Sequence, residues 1–327
     1  MEKLKGKSIL ITGGAGFIGS HIADFLTKNN AKFVRVVDNL MTGHEYNIEH
    51  LKKYKNFEFM YGDISDFDTC LKVTENIDIV CHQASLGSVP RSIDDPLKSH
   101  KNNVDGFVNI LYSCIKRNIK HFVYASSSSV YGNIDTLPKV ENNIGKHISP
   151  YALTKYIGEL YADLFNRVYG INCIGLRYFN VFGPRQDPNS MYSAVIPKFI
   201  TTLINNERPI IYGDGLTSRD FTYVSNVVDA NVNALSLYDD ETGALNMVYN
   251  IAYENQITLL CLFDNIRKIC NVNLEPIFKE QRKGDIKHSF ANINLAKKHL
   301  NYKPSVGLID GLKLTIDYYK NTKDIMI

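Results

Sequence analysis

No apolar run in the 327 residues approaches the roughly 20 needed to cross a bilayer, so no membrane-spanning helix is expected. The opening MEKLKGKSILITGG enters an apolar run at once and leaves no room for a cleavable signal, which predicts a cytoplasmic protein. Cysteine is sparse and unpaired: the six, at 70, 81, 114, 173, 261 and 270, form no CxxC and no metal-ligand spacing with histidine. That argues against a zinc module or a dithiol redox motif, leaves no metal expected, and reads as reduced, mostly buried thiols. Charge of one sign is lacking too. The net charge is +3 and the lysines fall in short scattered groups such as Lys52, Lys53 and Lys55, with no basic stripe for nucleic acid. What remains, 44% hydrophobic and 22% charged residues, suffices for one large or two modest domains with a real core.

The stretch around which the chain is organised runs from Ser8 to Asp38. Ile9-Leu10-Ile11 reads as a buried parallel strand, and Phe17, Ile18, Ile22 and Leu26 recur at helical spacing. Between them lie glycines in two overlapping registers, Gly14, Gly16 and Gly19 as GxGxxG and Gly13, Gly16 and Gly19 as GxxGxxG. Glycine permits the tight turn and a close backbone approach, leaving helix N-terminal amides free to hold a pyrophosphate. Asp38 closes the next strand, Phe33 to Val37, where a carboxylate takes an adenosine ribose hydroxyl and favours NAD over NADP.

The alternation continues through a strand at Phe57 to Tyr61, a helix near Asp66 to Thr74 and a strand at Ile77 to His82. This is the rhythm of an α/β, Rossmann-type doubly wound parallel sheet. Asp63 is placed to reach an adenine ring or to serve as an acid at a helix N-terminus. His82, ending an apolar strand, reads as a core histidine. The loop from His82 to Ser92 falls at the carboxyl edge of the sheet, where such folds bind ligands. A long helix is expected from about Ser99 to Lys116, then a strand from His121 to Ser126.

Ser126-Ser127-Ser128-Ser129 follows, a hydroxyl run that packs poorly but suits a polar ligand, unless it is merely a surface loop. Further on, Ser149 is an N-cap and Pro150 a first helical residue for a helix reaching about Tyr169. On it Tyr151 and Lys155 share a face. An ammonium beside a phenol favours the phenolate, so a lowered tyrosine pKa is expected. YxxxK alone is unspecific, since Tyr112/Lys116 and Tyr319/Lys323 match it. The capped helix, the serines upstream and the dinucleotide turn before both single out Tyr151 as the acid and base of the site.

In this order and spacing, Thr12 to Gly19, the hydroxyl run and Tyr151/Lys155 resemble the extended short-chain dehydrogenase/reductase family. Within it the sequence is most similar to the bacterial UDP-N-acetylglucosamine 4-epimerases, with the densest likeness in HQASLGSVPRS, SPYALTKYIGE, GLRYFNVFGPRQDP and IYGDGLTSRDFTYV. The resemblance implies NAD held by Gly13, Gly16, Phe17, Ile18, Gly19, Asp38, Asn39, Asp63, Ile64, Gln83, Ala84, Asn103, Tyr151, Lys155 and Tyr178. It implies catalysis by Tyr151, Lys155 and Ser127, with Ser128 and Ser129 lining the pocket. For the UDP-sugar it implies Gly87, Ser88, Arg91, Ser127, Asn180, Ala194, Val195, Tyr212, Arg219, Arg282, Asp285 and Ser289. Arg219 could instead pair with Asp220, Arg282 and Asp285 could form a solvated turn, and Ser289 could sit in a surface turn.

Ser289 stands where relatives restricted to glucose and galactose carry a bulky tyrosine, which leaves room for an N-acetyl group. Ser128-Ser129 stands where related dehydratases place an Asp-Glu pair and decarboxylases a Glu, so elimination is not expected. A carboxylated UDP-hexose and a non-catalytic nucleotide sensor are the competing readings. The uracil-side loop departs from the usual pattern at Ser190, and Gly132 is followed by Asn133 rather than an acid. Two interleaved domains are expected, residues 1–179 with about 218–256 for NAD and about 180–217 with 257–327 for the UDP-sugar. A homodimer through a four-helix bundle completes what the resemblance implies.

Overall fold

The computed structural model describes residues 2–29, 31–190, 193–239, 244–280 and 287–322. Seven parallel strands form one sheet: β1 (Ser8–Thr12), β2 (Phe33–Asp38), β3 (Phe57–Tyr61), β4 (Ile79–His82), β5 (His121–Ser127), β6 (Asn172–Tyr178) and β7 (Val248–Ile251). Their order is 7-6-5-4-1-2-3, so the chain reverses direction across the sheet between β1 and β4. The unbroken apolar runs have a simple cause: these strands are covered on both faces, and Ile9, Leu10 and Ile11 are fully buried. Each such side chain contributes about 1.5–3 kcal/mol by leaving water. The reversal opens a crevice at the carboxyl ends of β1 and β4, with the glycine turn on one side and the loop after His82 on the other.

The strand expected from Ile77 starts instead at Ile79, and the Asp78 carboxylate just before it accepts from the Ser8 amide at 2.7 Å. The helix expected from Ser99 to Lys116 is three pieces, Pro96–His100, a π-helical turn Lys101–Asp105 and Gly106–Lys116. The wide turn rolls Asn103 inward, where its carboxamide oxygen accepts from the Leu86 amide at 2.7 Å and its nitrogen donates to Thr154 Oγ1 at 3.1 Å.

A smaller lobe has its own core, with Phe182, Phe199, Ile211, Tyr223, Phe263 and Leu312 among its members. The expected domain division needs two amendments: Phe221, Tyr223 and Val224, within 218–256, pack in the core of the smaller lobe. Ala291, Ile293, Ala296, Leu300 and Tyr302 lie within 257–327, yet they pack with the core of the dinucleotide sheet. No described helix is long and apolar enough to cross a membrane.

His82 is a core histidine, its Nδ1 2.8 Å from Thr12 Oγ1. Burial holds His21, His82 and His121 down, to about 4, 3 and 4, from an ordinary value of 6.5. Below pH 6.5 the unfolded chain binds protons that the folded chain refuses, so stability falls with pH down to about 3–4. Each histidine costs roughly 1.4 kcal/mol per pH unit in that window. The urea midpoint is therefore expected to drop by several tenths of a molar or more from pH 7 to pH 5, and less steeply in His121→Gln. A midpoint constant over that range would contradict the assignment.

Candidate active site

The glycine turn places the Phe17–Lys28 helix with its first amides facing the crevice. Its N-cap, Gly16, offers no side-chain bond, which leaves those amides for a ligand. Two glycines are required by space. A Cβ at Gly13, which has φ +66°, would lie 2.6 Å from Ala84 Cα, and one at Gly19 would lie 2.3 Å from the Gly13 carbonyl oxygen.

A cleft of about 330 Å³ runs from this turn to the end of β5. Among the residues expected to hold NAD, Gly13, Gly16, Phe17, Ile18, Gly19, Asp38, Asn39, Asp63, Ile64, Gln83, Ala84, Tyr151, Lys155 and Tyr178 all line it. Asn103 does not; its neighbour Asn102 faces the cleft while Asn103 braces the Ser85–Leu86 loop from behind. Asp38 is buried and accepts from the Ala15 amide at 3.0 Å and the Leu40 amide at 2.8 Å, and burial raises its pKa despite those bonds. Asp63 lines the cleft and accepts from Ser65 N–H, and the cap of the next helix is Asp66, so the helix-terminus alternative for Asp63 falls away. Asn47, on the loop after β2, is buried in the cleft wall. It donates to the Ala15 carbonyl at 2.9 Å, while its carboxamide oxygen has no protein partner. Donor amides at one end, a ribose-sized carboxylate beside β2 and an orphaned acceptor fit a dinucleotide.

The other end holds the reactive side chains. Ser149 caps the Pro150–Tyr169 helix by accepting from Ala152 N–H at 3.1 Å. Tyr151 opens onto the cleft and its hydroxyl meets Ser127. Ser127 accepts from both the amide and the hydroxyl of Ser129, at 3.2 and 2.9 Å, so the Ser129 hydroxyl is turned onto Ser127 instead of into the pocket. Lys155 Nζ donates to the Ala125 carbonyl at 2.9 Å. Burial brings Lys155 down to about 8, with the Glu159 carboxylate opposing.

The expectation of a lowered tyrosine pKa is corrected here. Burial holds the Tyr151 phenol above its ordinary value, and the Ser127 hydrogen bond pulls it back only in part. The protein alone therefore favours the phenol, and the Ser127 bond is the protein group that draws it toward phenolate.

Two residues behind the site, Glu159 and Arg177, have no role in the sequence expectations. Glu159, one turn beyond Lys155, accepts from Ser126 Oγ at 2.5 Å and from Arg177 on both oxygens, at 2.9 and 2.7 Å. Arg177 in turn donates to Tyr131 Oη at 3.1 Å and to the Glu141 carbonyl at 2.8 Å, and the ion pair is almost wholly buried. The spacing of Tyr151, Lys155 and Glu159 at successive helical turns is the one clue the sequence offered. Other cleft residues without an expected role include His44, Asn47, Arg185 and Asp187.

The expected substrate residues divide. Gly87 lines the cleft, and Ser88, at φ +107°, caps the short helix Val89–Asp94 that carries Arg91. Arg91 Nη2 is 3.4 Å from Ser190 Oγ, tying it to the other lobe. Asn180 donates to the Asp220 carbonyl at 3.1 Å, beside Arg219. Asp220 faces away from Arg219 and accepts from the Tyr253 and Ala291 amides at 3.1 and 3.5 Å, so the Arg219–Asp220 ion pair does not form. Ser289 is buried rather than in a surface turn, its amide bonded to the Ser218 carbonyl at 3.1 Å. Ala194 and Val195 stand at the start of the Val195–Ile204 helix and Tyr212 at the end of a strand in the same lobe, away from the cleft lining. Arg282 and Asp285 lie outside the described residues.

A Rossmann cleft ending in a converging serine, tyrosine and lysine defines a dinucleotide-dependent enzyme of the short-chain dehydrogenase/reductase class. The chain belongs to the NAD dependent epimerase/dehydratase family, which matches residues 9–252, and its cofactor is NAD. It is 39% identical over 315 residues to a putative UDP-glucose 4-epimerase of Methanocaldococcus jannaschii, covering 96% of this chain and 98% of the relative. A UDP-N-acetylglucosamine 4-epimerase of Methanobrevibacter ruminantium, solved with UDP-N-acetylmuramic acid, superposes with a TM-score of 0.91 at 38% identity, covering 97% of this chain and 99% of that one. A UDP-glucuronic acid 4-epimerase of Bacillus cereus, solved with UDP-glucuronic acid and NAD, gives a TM-score of 0.88 at 32% identity, covering 96% and 99%.

Proposed function

We propose that this enzyme is a UDP-sugar 4-epimerase whose substrate is UDP-N-acetylglucosamine, interconverted with UDP-N-acetylgalactosamine. The observation that carries the reaction type is the meeting of Ser127 and Tyr151 above Lys155, at the end of the dinucleotide cleft. NAD, when bound, supplies a hydride acceptor for the sugar C4 and returns the hydride afterwards. The protein's part is the proton. Tyr151 Oη, ionised to the phenolate, takes the 4-hydroxyl proton as C4 becomes a ketone, and as the phenol gives it back when the ketone is reduced from its other face. Ser127 bonds the same oxygen, and Lys155, anchored on Ala125, holds positive charge beneath the pair. The neutral Ser128-Ser129 supplies no carboxylate for elimination. The retention of Tyr151, Lys155 and Ser127 in one place speaks against a sensor that only binds.

The substrate reading rests on the resemblance, which sets the small Ser289 beside the sugar; the side chain is buried and lies outside the cleft lining. The likeness to UDP-glucuronate 4-epimerases favours a carboxylated UDP-hexose as the second reading. A panel of UDP-hexoses followed by NMR decides between them. Wild-type enzyme is expected to form UDP-N-acetylgalactosamine, with UDP-glucose and UDP-galactose as smaller substrates. Ser289→Tyr is expected to suppress the acetylated pair at least tenfold more than the plain pair. Turnover confined to UDP-glucuronate, or equal loss on both pairs in the variant, would overturn the assignment.

The same helix supports a homodimer. Leu153, Leu160, Leu164 and Val168 recur at helical spacing on the outer face of Pro150–Tyr169, between 40 and 60% exposed, and Leu97 on the neighbouring helix is 82% exposed. Such a stripe is the face expected to pair across a two-fold axis into a four-helix bundle. Leu160→Asp with Leu164→Asp is expected to shift the chain from dimer to monomer in sedimentation analysis. Wild-type protein that sediments as a monomer would refute the pairing.

A further inference from the structure

The residues 184–187 cross the dinucleotide cleft like a strap. At one end the Pro184 carbonyl accepts from His21 at 2.9 Å, so the segment is fixed to the helix that starts at the glycine turn. At the other end Asp187 lies 3.5 Å from His44, on the loop after β2. In the middle the Gln186 carbonyl accepts from the Tyr319 hydroxyl. Arg185, with φ +67°, is held in a left-handed conformation that an arginine adopts only where its surroundings fix it.

The charge balance of the cleft gives this arginine a task. The lining holds the carboxylates Asp38, Asp63 and Asp187, and a dinucleotide adds two phosphate charges. Against these the lining holds, among the described residues and besides His44, two basic side chains, Lys155 and Arg185. Lys155 is committed at the far end, on the Ala125 carbonyl. Arg185 is at the glycine end, with Nη1 3.4 Å from Ser20 Oγ in the first turn of the helix. Its carboxylate neighbour Asp24 stands 3.8 Å away and already takes Lys28 and His50, each at 2.7 Å. The guanidinium is thus mostly buried, loosely paired and beside the amides that face an anion.

We propose that Arg185 binds the diphosphate of the dinucleotide and, through the 184–187 strap, holds the cofactor in the cleft. A planar fork suits two phosphate oxygens, and it stands in the cleft lining alongside the first turn of the helix whose amides face an anion, so the two can hold the diphosphate together. The strap belongs to the stretch that leads into the substrate lobe, so cofactor retention and substrate binding share one segment.

The test uses the full chain stripped of NAD, with ADP-ribose, which carries the diphosphate, and adenosine, which does not. Arg185→Gln is expected to weaken ADP-ribose about ten- to a hundredfold and to leave adenosine unchanged. The same variant, purified without stripping, is expected to carry substantially less bound NAD than wild type. Arg185→Lys keeps the charge without the fork and is expected to fall between the two on ADP-ribose, which serves should the glutamine variant not fold. Unchanged ADP-ribose affinity, or equal losses on ADP-ribose and adenosine, would overturn the proposal.

Discussion

Tyr151→Phe is expected to lower turnover about a thousandfold while leaving the fold and the bound NAD in place. The hydroxyl is the only atom removed, and the contacts that position the residue persist: its amide donates to Ser92 Oγ at 3.0 Å, and the helix cap at Ser149 is untouched. Ser127 loses its partner but keeps both bonds from Ser129. Turnover by NMR, together with NAD absorbance after gel filtration, checks both halves of the expectation. Near-wild-type rates would mean that another group moves the proton. Because the protein alone holds the phenol above its ordinary value, the activity of wild-type enzyme should also track the Ser127 bond, and Ser127→Ala should lose rate most steeply at low pH.

The second large effect is on stability. Glu159→Ala is expected to cost about 3–5 kcal/mol, because it strands the Arg177 guanidinium in the interior. For a chain of this size that corresponds to a fall in melting temperature of roughly 4–7 °C. Replacing the pair together, Glu159→Leu with Arg177→Met, should cost less than either single change, since no buried charge is then left alone. Melting curves of the three variants suffice; strict additivity would deny the coupling. The carboxylate also props up the Lys155 ammonium against burial. Its loss should lower the Lys155 pKa further, so the alkaline limb of the activity profile moves to lower pH in Glu159→Gln. A limb that stays in place would separate the structural role of Glu159 from any influence on Lys155.

These expectations divide along what a linear sequence can hold. The apolar runs of β1, β2 and β4, the glycine turn, Asp38 and the Ser149 cap are local patterns with one physical solution each, and they put the sheet and both ends of the cleft in place. The neighbours that tune those residues are not local. Glu159 meets Arg177 eighteen positions away, on the next strand, and Asn103 reaches Leu86 only because a π turn rotates it inward. The Tyr151 pKa depends on how deeply the ring is enclosed, which spacing does not express. Arg185 lies in GLRYFNVFGPRQDP, one of the densest stretches of the resemblance, but its place over the glycine turn is a product of how the two lobes meet. The amended lobe boundary has the same origin, since residues 291–302 return to a core begun nearly three hundred positions earlier.

The π turn at Lys101–Asp105 also sets a limit on how this chain can change length. It holds one residue more than an α turn, and deleting any single position within it would let the three helical pieces fuse. Fusion would close the wide turn that rolls Asn103 inward and carry its side chain off the Leu86 loop. Losing that one residue would unfasten the lip of the cofactor cleft at Ser85 and Leu86, a change of helical pitch read out as a loosened nucleotide.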